Sequence, residues 1–275
     1  MCSSDLLDFP PLNPVCGSGS SVSVALASCT NSVPGRGIYA GPGTDTTGML
    51  NPTVAGAGLH TIWYIYTTSG GCRDSISQTI QVRAKPRANF GFQTGCRPPS
   101  GFVQFFDSST IADLQSLSYS WNFGDANATI TNPNTSNSPF PNHRFREGTY
   151  NVTLRVTTNF GCVDSIVIPV TVKVKPTLSY PALGPICQSD TAANIATAVT
   201  TNTFPITGTG IYSGSGISSN GSMNGEISGA GTFTIKYVFT TTGGCTDSAS
   251  QTIQVRERPA ISFGYPTVCL PTDGL

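Results

Sequence analysis

The sequence predicts an all-β fold built as several small sandwiches in tandem. Three observations carry that expectation. Apolar and aromatic residues alternate with polar ones over long runs, as in Tyr119-Ser-Trp121-Asn-Phe123, the period of a strand with one face buried. Gly (30) and Pro (20) are abundant, which suits frequent turns. The third observation is self-similarity. QTIQVR at 78–83 returns at 251–256, an offset of 173 (251 − 78), and a block that long is a domain-scale repeat.

The repeat organises the chain. At the same offset Gly37-Ile-Tyr39 answers Gly210-Ile-Tyr212, Gly56-Ala-Gly58 answers Gly229-Ala-Gly231, and Gly70-Gly-Cys72 answers Gly243-Gly-Cys245. The segment ending in Pro14-Val-Cys16 answers the one ending in Pro185-Ile-Cys187. Phe90-Gly-Phe92 and Cys96 answer Phe263-Gly-Tyr265 and Cys269. The repeating unit is therefore a pair of different domains, A then B. The expected organisation is A over 7–86, B over 87–175, A again over 176–259, and the first strand of a second B over 260–275. The leading MCSSDL, residues 1–6, reads as a sequencing-adapter artefact, which leaves Cys2 outside the fold.

Each junction carries the same connector: Val82-Arg-Ala-Lys-Pro86, Val172-Lys-Val-Lys-Pro176 and Val255-Arg-Glu-Arg-Pro259. Proline fixes its own φ and pushes the preceding residue into extended conformation, so short, stiff joints are expected.

Composition removes several function classes. There are 14 Lys+Arg against 14 Asp+Glu, and charged residues are only 10% of the chain. No basic field is available to hold nucleic acid, and no apolar run reaches the roughly 20 residues of a membrane-spanning helix. No GxSxG, HExxH, P-loop or dinucleotide fingerprint is present, and the three Glu residues (Glu147, Glu226, Glu257) fall near turns or a connector. No enzyme and no cofactor is expected. Asp107, Asp113 and Asp125 match no compact calcium loop.

Nine cysteines without a CxxC pair, and with only His60 and His143 beside them, point to disulfides and an oxidising, extracellular setting. All three domains contain the segment TT-x-x-G-C-x-D-S, at 67–75, 157–165 and 240–248, expected to be a hairpin. Each hairpin cysteine has one counterpart near the start of its own domain, so the expected bridges are Cys16–Cys72, Cys96–Cys162 and Cys187–Cys245. Cys269 stands where Cys96 does, and Cys29 has no counterpart in the second A copy.

The two copies also separate the faces of a strand. His60, Ile62, Tyr64 and Tyr66 correspond to Phe233, Ile235, Tyr237 and Phe239, a shared apolar face that is expected to be core. Trp63 falls on the opposite face, where the second copy has Lys236. Trp63 is thus a candidate contact for a sugar or a protein partner, with cover by a neighbouring loop as the alternative.

The B segment resembles the PKD (polycystic kidney disease) domain family. The resemblance rests on Trp121-Asn-Phe123-Gly124-Asp125, then His143-Arg-Phe145, then Gly148-Thr-Tyr150-Asn-Val-Thr-Leu-Arg-Val156, three segments in the family's order across most of 87–175. Asn122 and Ala126 depart from the usual Asp and Gly. The resemblance implies an immunoglobulin-like sandwich with Trp121 as core tryptophan, Gly124-Asp125 as turn, His143 as a structural hydrogen-bonding group and Tyr150 as a tyrosine-corner anchor.

The A segments are similar to immunoglobulin-like repeats that alternate with PKD domains in large secreted and surface proteins of Bacteroidetes. That similarity implies export by the type IX route and O-glycosylation at Asp74-Ser, Asp164-Ser, Asp190-Thr and Asp247-Ser. Its functional implication is a non-enzymatic extracellular spacer or stalk with a part in adhesion, its partners being neighbouring domains of one long chain and surface glycans or proteins. The alternative is a substrate-binding accessory module of a secreted hydrolase.

Overall fold

The computed structural model describes residues 7–30, 33–113 and 115–264. The artefact expected at 1–6, Cys269, and the second-B strand beyond residue 264 lie outside them. Among the described residues the structure is β apart from two single helical turns, and the chain divides into two compact units: residues 1–94 with 102–172, and residues 95–101 with 173–275.

In the first unit, the first A copy has a four-stranded sheet. Its order is Val15–Cys16, Arg73–Arg83, Gly58–Thr68, Gly35–Ala40, and Val15–Cys16 runs parallel to Arg73–Arg83. Two short ribbons, Leu7–Asp8 with Ser28–Cys29 and Val22–Ser23 with Met49–Leu50, form the opposing layer. Leu7, Phe9, Val24 and Leu50 from that layer close on Tyr39, Ile62, Tyr64 and Ile80 of the sheet. Alternation does what the sequence anticipates: Ile62 and Tyr64 are buried, and Trp63 between them is exposed.

The glycine in the repeated Gly-Ile-Tyr has a steric reason. A Cβ at Gly37 would lie 2.1 Å from the Tyr64 hydroxyl, and one at Gly210 would lie 1.9 Å from that of Tyr237. Either glycine lets a neighbouring tyrosine lie flat across the strand.

The B segment packs two sheets. One contains Val163–Val174, Gly148–Thr158, Leu117–Asn122 and Thr135–Ser136 in that order, and the other contains Asn142–Arg144, Phe102–Asp107 and Phe90–Phe92. Between them lies an aromatic core in which Phe105 contacts Phe90, Phe92, Trp121, Phe123 and Phe145 with ring centroids 5.4–6.2 Å apart. Such offset and edge contacts add to the burial of roughly 150–250 Å² per ring.

The second unit repeats the A architecture strand for strand. Ile186–Cys187, Thr246–Arg256, Gly231–Thr241 and Gly208–Ser213 make the four-stranded sheet, with ribbons Leu178–Ser179 with Val199–Thr200 and Ala193–Asn194 with Ser222–Met223. Even the helical turns correspond. Asn51 caps Pro52–Ala55, and Asn224 caps Gly225–Ser228, each through two backbone N–H groups. Cys96–Arg97 also belongs to this unit, pairing in parallel with Lys173–Val174.

Candidate functional site

The chemistry most particular to this chain lies where one repeat meets the next. The three TT-x-x-G-C segments form one hairpin in three places. In each, the cysteine N–H donates to the first-strand threonine hydroxyl at 3.1 Å (Cys72 to Thr68, Cys162 to Thr158, Cys245 to Thr241). The cysteine carbonyl in turn accepts from the same threonine's N–H at 2.8–2.9 Å. The lead-strand cysteines also share one position. Cys16 pairs with Arg83, Cys96 with Lys173 and Cys187 with Arg256, so each lies beside the last residues of a closing strand.

These placements overturn the bridges expected within each domain. Cys72 sits just before Arg73–Arg83, whereas Cys16 is in register with the far end of that strand. Eleven residues at about 3.3 Å each separate them by about 36 Å, against the roughly 7 Å Cα limit of a disulfide. The same geometry forbids Cys96–Cys162 and Cys187–Cys245. The bridges formed are Cys16–Cys162 and Cys96–Cys245, with Cα separations of 5.5 and 5.8 Å and sequence separations of 146 and 149. In both bridges a lead-strand cysteine, Cys16 or Cys96, is joined to the hairpin of the following segment. Cys72 and Cys187 carry free, exposed thiols. Cys29, in neither bridge, packs against the first A core.

Around Cys16–Cys162 the joint is closed by polar contacts the sequence reading did not anticipate. Asp164, two residues past the hairpin cysteine, accepts from the Lys85 ammonium at 2.8 Å and from the Ala88 N–H at 2.9 Å. Burial by itself would push its carboxyl up, but Lys85 and the Ala88 and Ser165 N–H groups outweigh burial and hold it below the usual range. Asp113 accepts from the Ala84 N–H at 3.1 Å, and the Arg83 guanidinium lies 3.8 Å from the centre of the Phe160 ring. At the second joint Lys175 stands 3.6 Å from Asp247. There Asn202 accepts from Thr177 N–H at 2.8 Å and donates to Lys175 C=O at 3.0 Å. In these two joints the lysine of the connector and the aspartate of the C-x-D-S hairpin are thus partners.

The B-segment motif residues form a separate, buried cluster. Trp121, Phe123 and Phe145 are core residues, and the Trp121 indole donates to the Ser138 carbonyl at 2.8 Å. Gly124 turns the chain with φ +68, and a Cβ there would meet the Asn151 carbonyl at 2.6 Å. Asp125 is more than a turn residue. It is buried, contacts His143 Nε2 through Oδ2 at 3.0 Å and accepts from Asn127 N–H at 2.8 Å. His143 lies parallel to the Phe123 ring at 4.4 Å. Burial pushes its imidazole below its ordinary value, opposed by Asp125 and the Pro133 carbonyl.

Asn132 and Asn134, unmarked in the sequence reading, complete the network. Asn132 bonds both N–H and C=O of Arg144, and Asn134 accepts from Asp125 N–H. The Tyr150 hydroxyl donates to the Arg146 carbonyl at 3.2 Å, and Gly148 opens that strand. Both buried, Asp125 and His143 organise a turn.

The remaining candidates are dispersed. Asp107 accepts from Ser109 N–H, while Asp113 and Asp125 are engaged as described. Among the described residues no group of three or more His, Cys, Asp or Glu side chains is placed to hold a metal ion. Trp63 is 46% exposed on the outer face of the sheet, with Leu59 at 67% on the same strand face. No helix among the described residues is long and apolar enough to cross a membrane.

Residues 83–174 match the family model described as PKD domain. Similar solved structures include the PKD1 domain of Vibrio anguillarum Epp, 29% identical over 33% of this chain and 95% of that one, with a TM-score of 0.27. The PKD1 domain from the Vibrio cholerae metalloprotease PrtV is 26% identical over 32% of this chain and 98% of that one, with a TM-score of 0.26. The titin I-band fragment I67–I69 is 11% identical over 90% of this chain and 95% of that one, with a TM-score of 0.45. No curated protein matches.

Proposed function

We propose that this chain is a non-enzymatic extracellular spacer of a larger surface or secreted protein. In this reading three successive sandwiches, 7–86, 87–175 and 176–259, carry tension and hold other domains at a distance, contributing to adhesion. The observation that carries it is the pair of bridges running from one segment into the next. A disulfide inside a domain stabilises that domain; one across a joint makes the connection itself resistant to extension. Disulfides of this kind suit an oxidising compartment, and the PKD match and the buried state of Asp125 and His143 favour a mechanical over a catalytic role. Labelling of intact source cells with an antibody raised against residues 7–264, and its loss on brief external proteolysis, is the expected result. Label found only after cell lysis would refute the surface location.

The exposed Trp63 beside Leu59 favours one second reading, an accessory module that contacts polysaccharide through that sheet face. Retention on insoluble polysaccharide that is lost in Trp63→Ala would support it; passage of both proteins unretained would leave the spacer.

A further inference from the structure

Cys72 and Cys187 occupy the two positions of the joint that Cys162 or Cys245 and Cys16 or Cys96 fill elsewhere, and each is accompanied by the matching half of the ion pair. On the hairpin side, Asp74 stands where Asp164 and Asp247 stand. Its Oδ1 accepts from Ser75 N–H, but its Oδ2 is buried without a hydrogen-bond partner. That is a costly state for a carboxylate oxygen, and the equivalent residues Asp164 and Asp247 have Lys85 and Lys175 beside them. On the lead-strand side, Arg258 stands where Lys85 and Lys175 stand in the connector. Among the described residues it pairs with Glu226, at 3.6 Å, and both side chains are more than half exposed. The backbone around Cys187 is already set as around Cys16: Gln188 N–H donates to Arg256 C=O at 2.8 Å, as Gly17 N–H does to Arg83 C=O.

We propose that Cys72 with Asp74, and Cys187 with Arg258, are complementary half-joints that each bind another sandwich carrying the opposite half, through a disulfide and an Asp–Arg or Asp–Lys pair. In solution that partner is a second copy of this chain, added head to tail. The contact is heterologous and does not close on itself, so it propagates into linear oligomers. Formation is by thiol–disulfide exchange with a small-molecule disulfide. The Cys72 thiolate attacks oxidised glutathione and releases one glutathione thiolate. The Cys187 thiolate then attacks the Cys72 sulfur of the mixed disulfide and releases the second. Two protein thiols and one glutathione disulfide become one bridge and two glutathione molecules. The inference deepens the spacer reading and rests on it for its meaning.

The test uses the full chain with either Cys72→Ser or Cys187→Ser, both at exposed positions, with Cys16–Cys162 and Cys96–Cys245 verified in each by peptide mapping. Oxidised glutathione is the redox partner. The wild-type chain is expected to give a ladder of oligomers on a non-reducing gel. An equimolar mixture of the two variants is expected to stop at the dimer, with the Cys72–Cys187 peptide at least about tenfold over the Cys72–Cys72 and Cys187–Cys187 peptides. Asp74→Asn is expected to slow formation several-fold at low salt and to lose that effect near 1 M salt, where the Debye length falls to about 3 Å. A statistical mixture of the three bridged peptides, or no bridged dimer, would overturn the proposal. Either result leaves the spacer reading standing, because that reading depends on the two bridges already formed within the chain.

Discussion

Stretching the chain between handles at residues 7 and 264 measures its covalent wiring directly. With both bridges reduced, the roughly 257 intervening residues unravel to about 900 Å, at about 3.5 Å per residue. With both formed, three routes lie in parallel between Cys16 or Cys162 and Cys96 or Cys245. They contain roughly 66, 80 and 83 residues (162 − 96, 96 − 16, 245 − 162), and the shortest sets the limit. Adding the flanks leaves about 94 residues, so full extension is about 330 Å. The two bridges remove close to two thirds of the available length.

The informative perturbation is Cys72→Ser. Because Cys72 is in neither bridge, the contour length by atomic force spectroscopy should stay at about 330 Å in oxidising buffer. Had Cys72 bonded Cys16, the substitution would release roughly 56 residues and lengthen the trace by about 200 Å. A gain of that size would refute the wiring, and with it the reading of the joints as the tension-bearing element.

Three further outcomes follow from the same contacts. Phe105→Ala, which empties the centre of the aromatic core, should cost about 3–5 kcal/mol of B-segment stability, read from Trp121 fluorescence in denaturant, and a cost under 1 kcal/mol would refute its central place. His143 is held below its usual value of 6.5 by burial, so the unfolded chain binds the extra proton. Stability from this residue is then complete above pH 6.5 and falls as pH drops through that value, a slope His143→Asn should abolish between pH 7.5 and 5.5. Asp164→Ala removes the acceptor for Lys85 and Ala88 N–H, loosening the joint by about 1–2 kcal/mol. Dithiothreitol should then reduce Cys16–Cys162 several-fold faster while Cys96–Cys245 is unaffected. As the Asp164 carboxyl is held low, the same loosening should appear in the unsubstituted chain as pH falls through the carboxylate range.

Strand faces, turns and repeats were legible because they are local. Alternation across Ile62, Trp63 and Tyr64 states which residues are buried, and comparison with Ile235, Lys236 and Tyr237 shows which of those positions the core requires. The aromatic run through Trp121 and Phe123 declares its own burial in the same way. Even the cysteine positions could have been weighed by length, since eleven strand residues separate the hairpin from the end that Cys16 adjoins. Partner choice was not legible. A repeated chain offers every lead-strand cysteine several chemically identical hairpins, and sequence proximity favours the one in its own domain. The fold excludes that one, because a sandwich holds its hairpin and the partner of its lead strand at opposite ends of the same rigid strand. The roles of Asp164, Asn132 and Asn134 were hidden for a related reason. Asp-Ser and Asn-Pro read locally as turn signals, and they become partners of Lys85, Arg144 and Asp125 when residues 79, 12 and 9 positions apart are brought within about 3 Å.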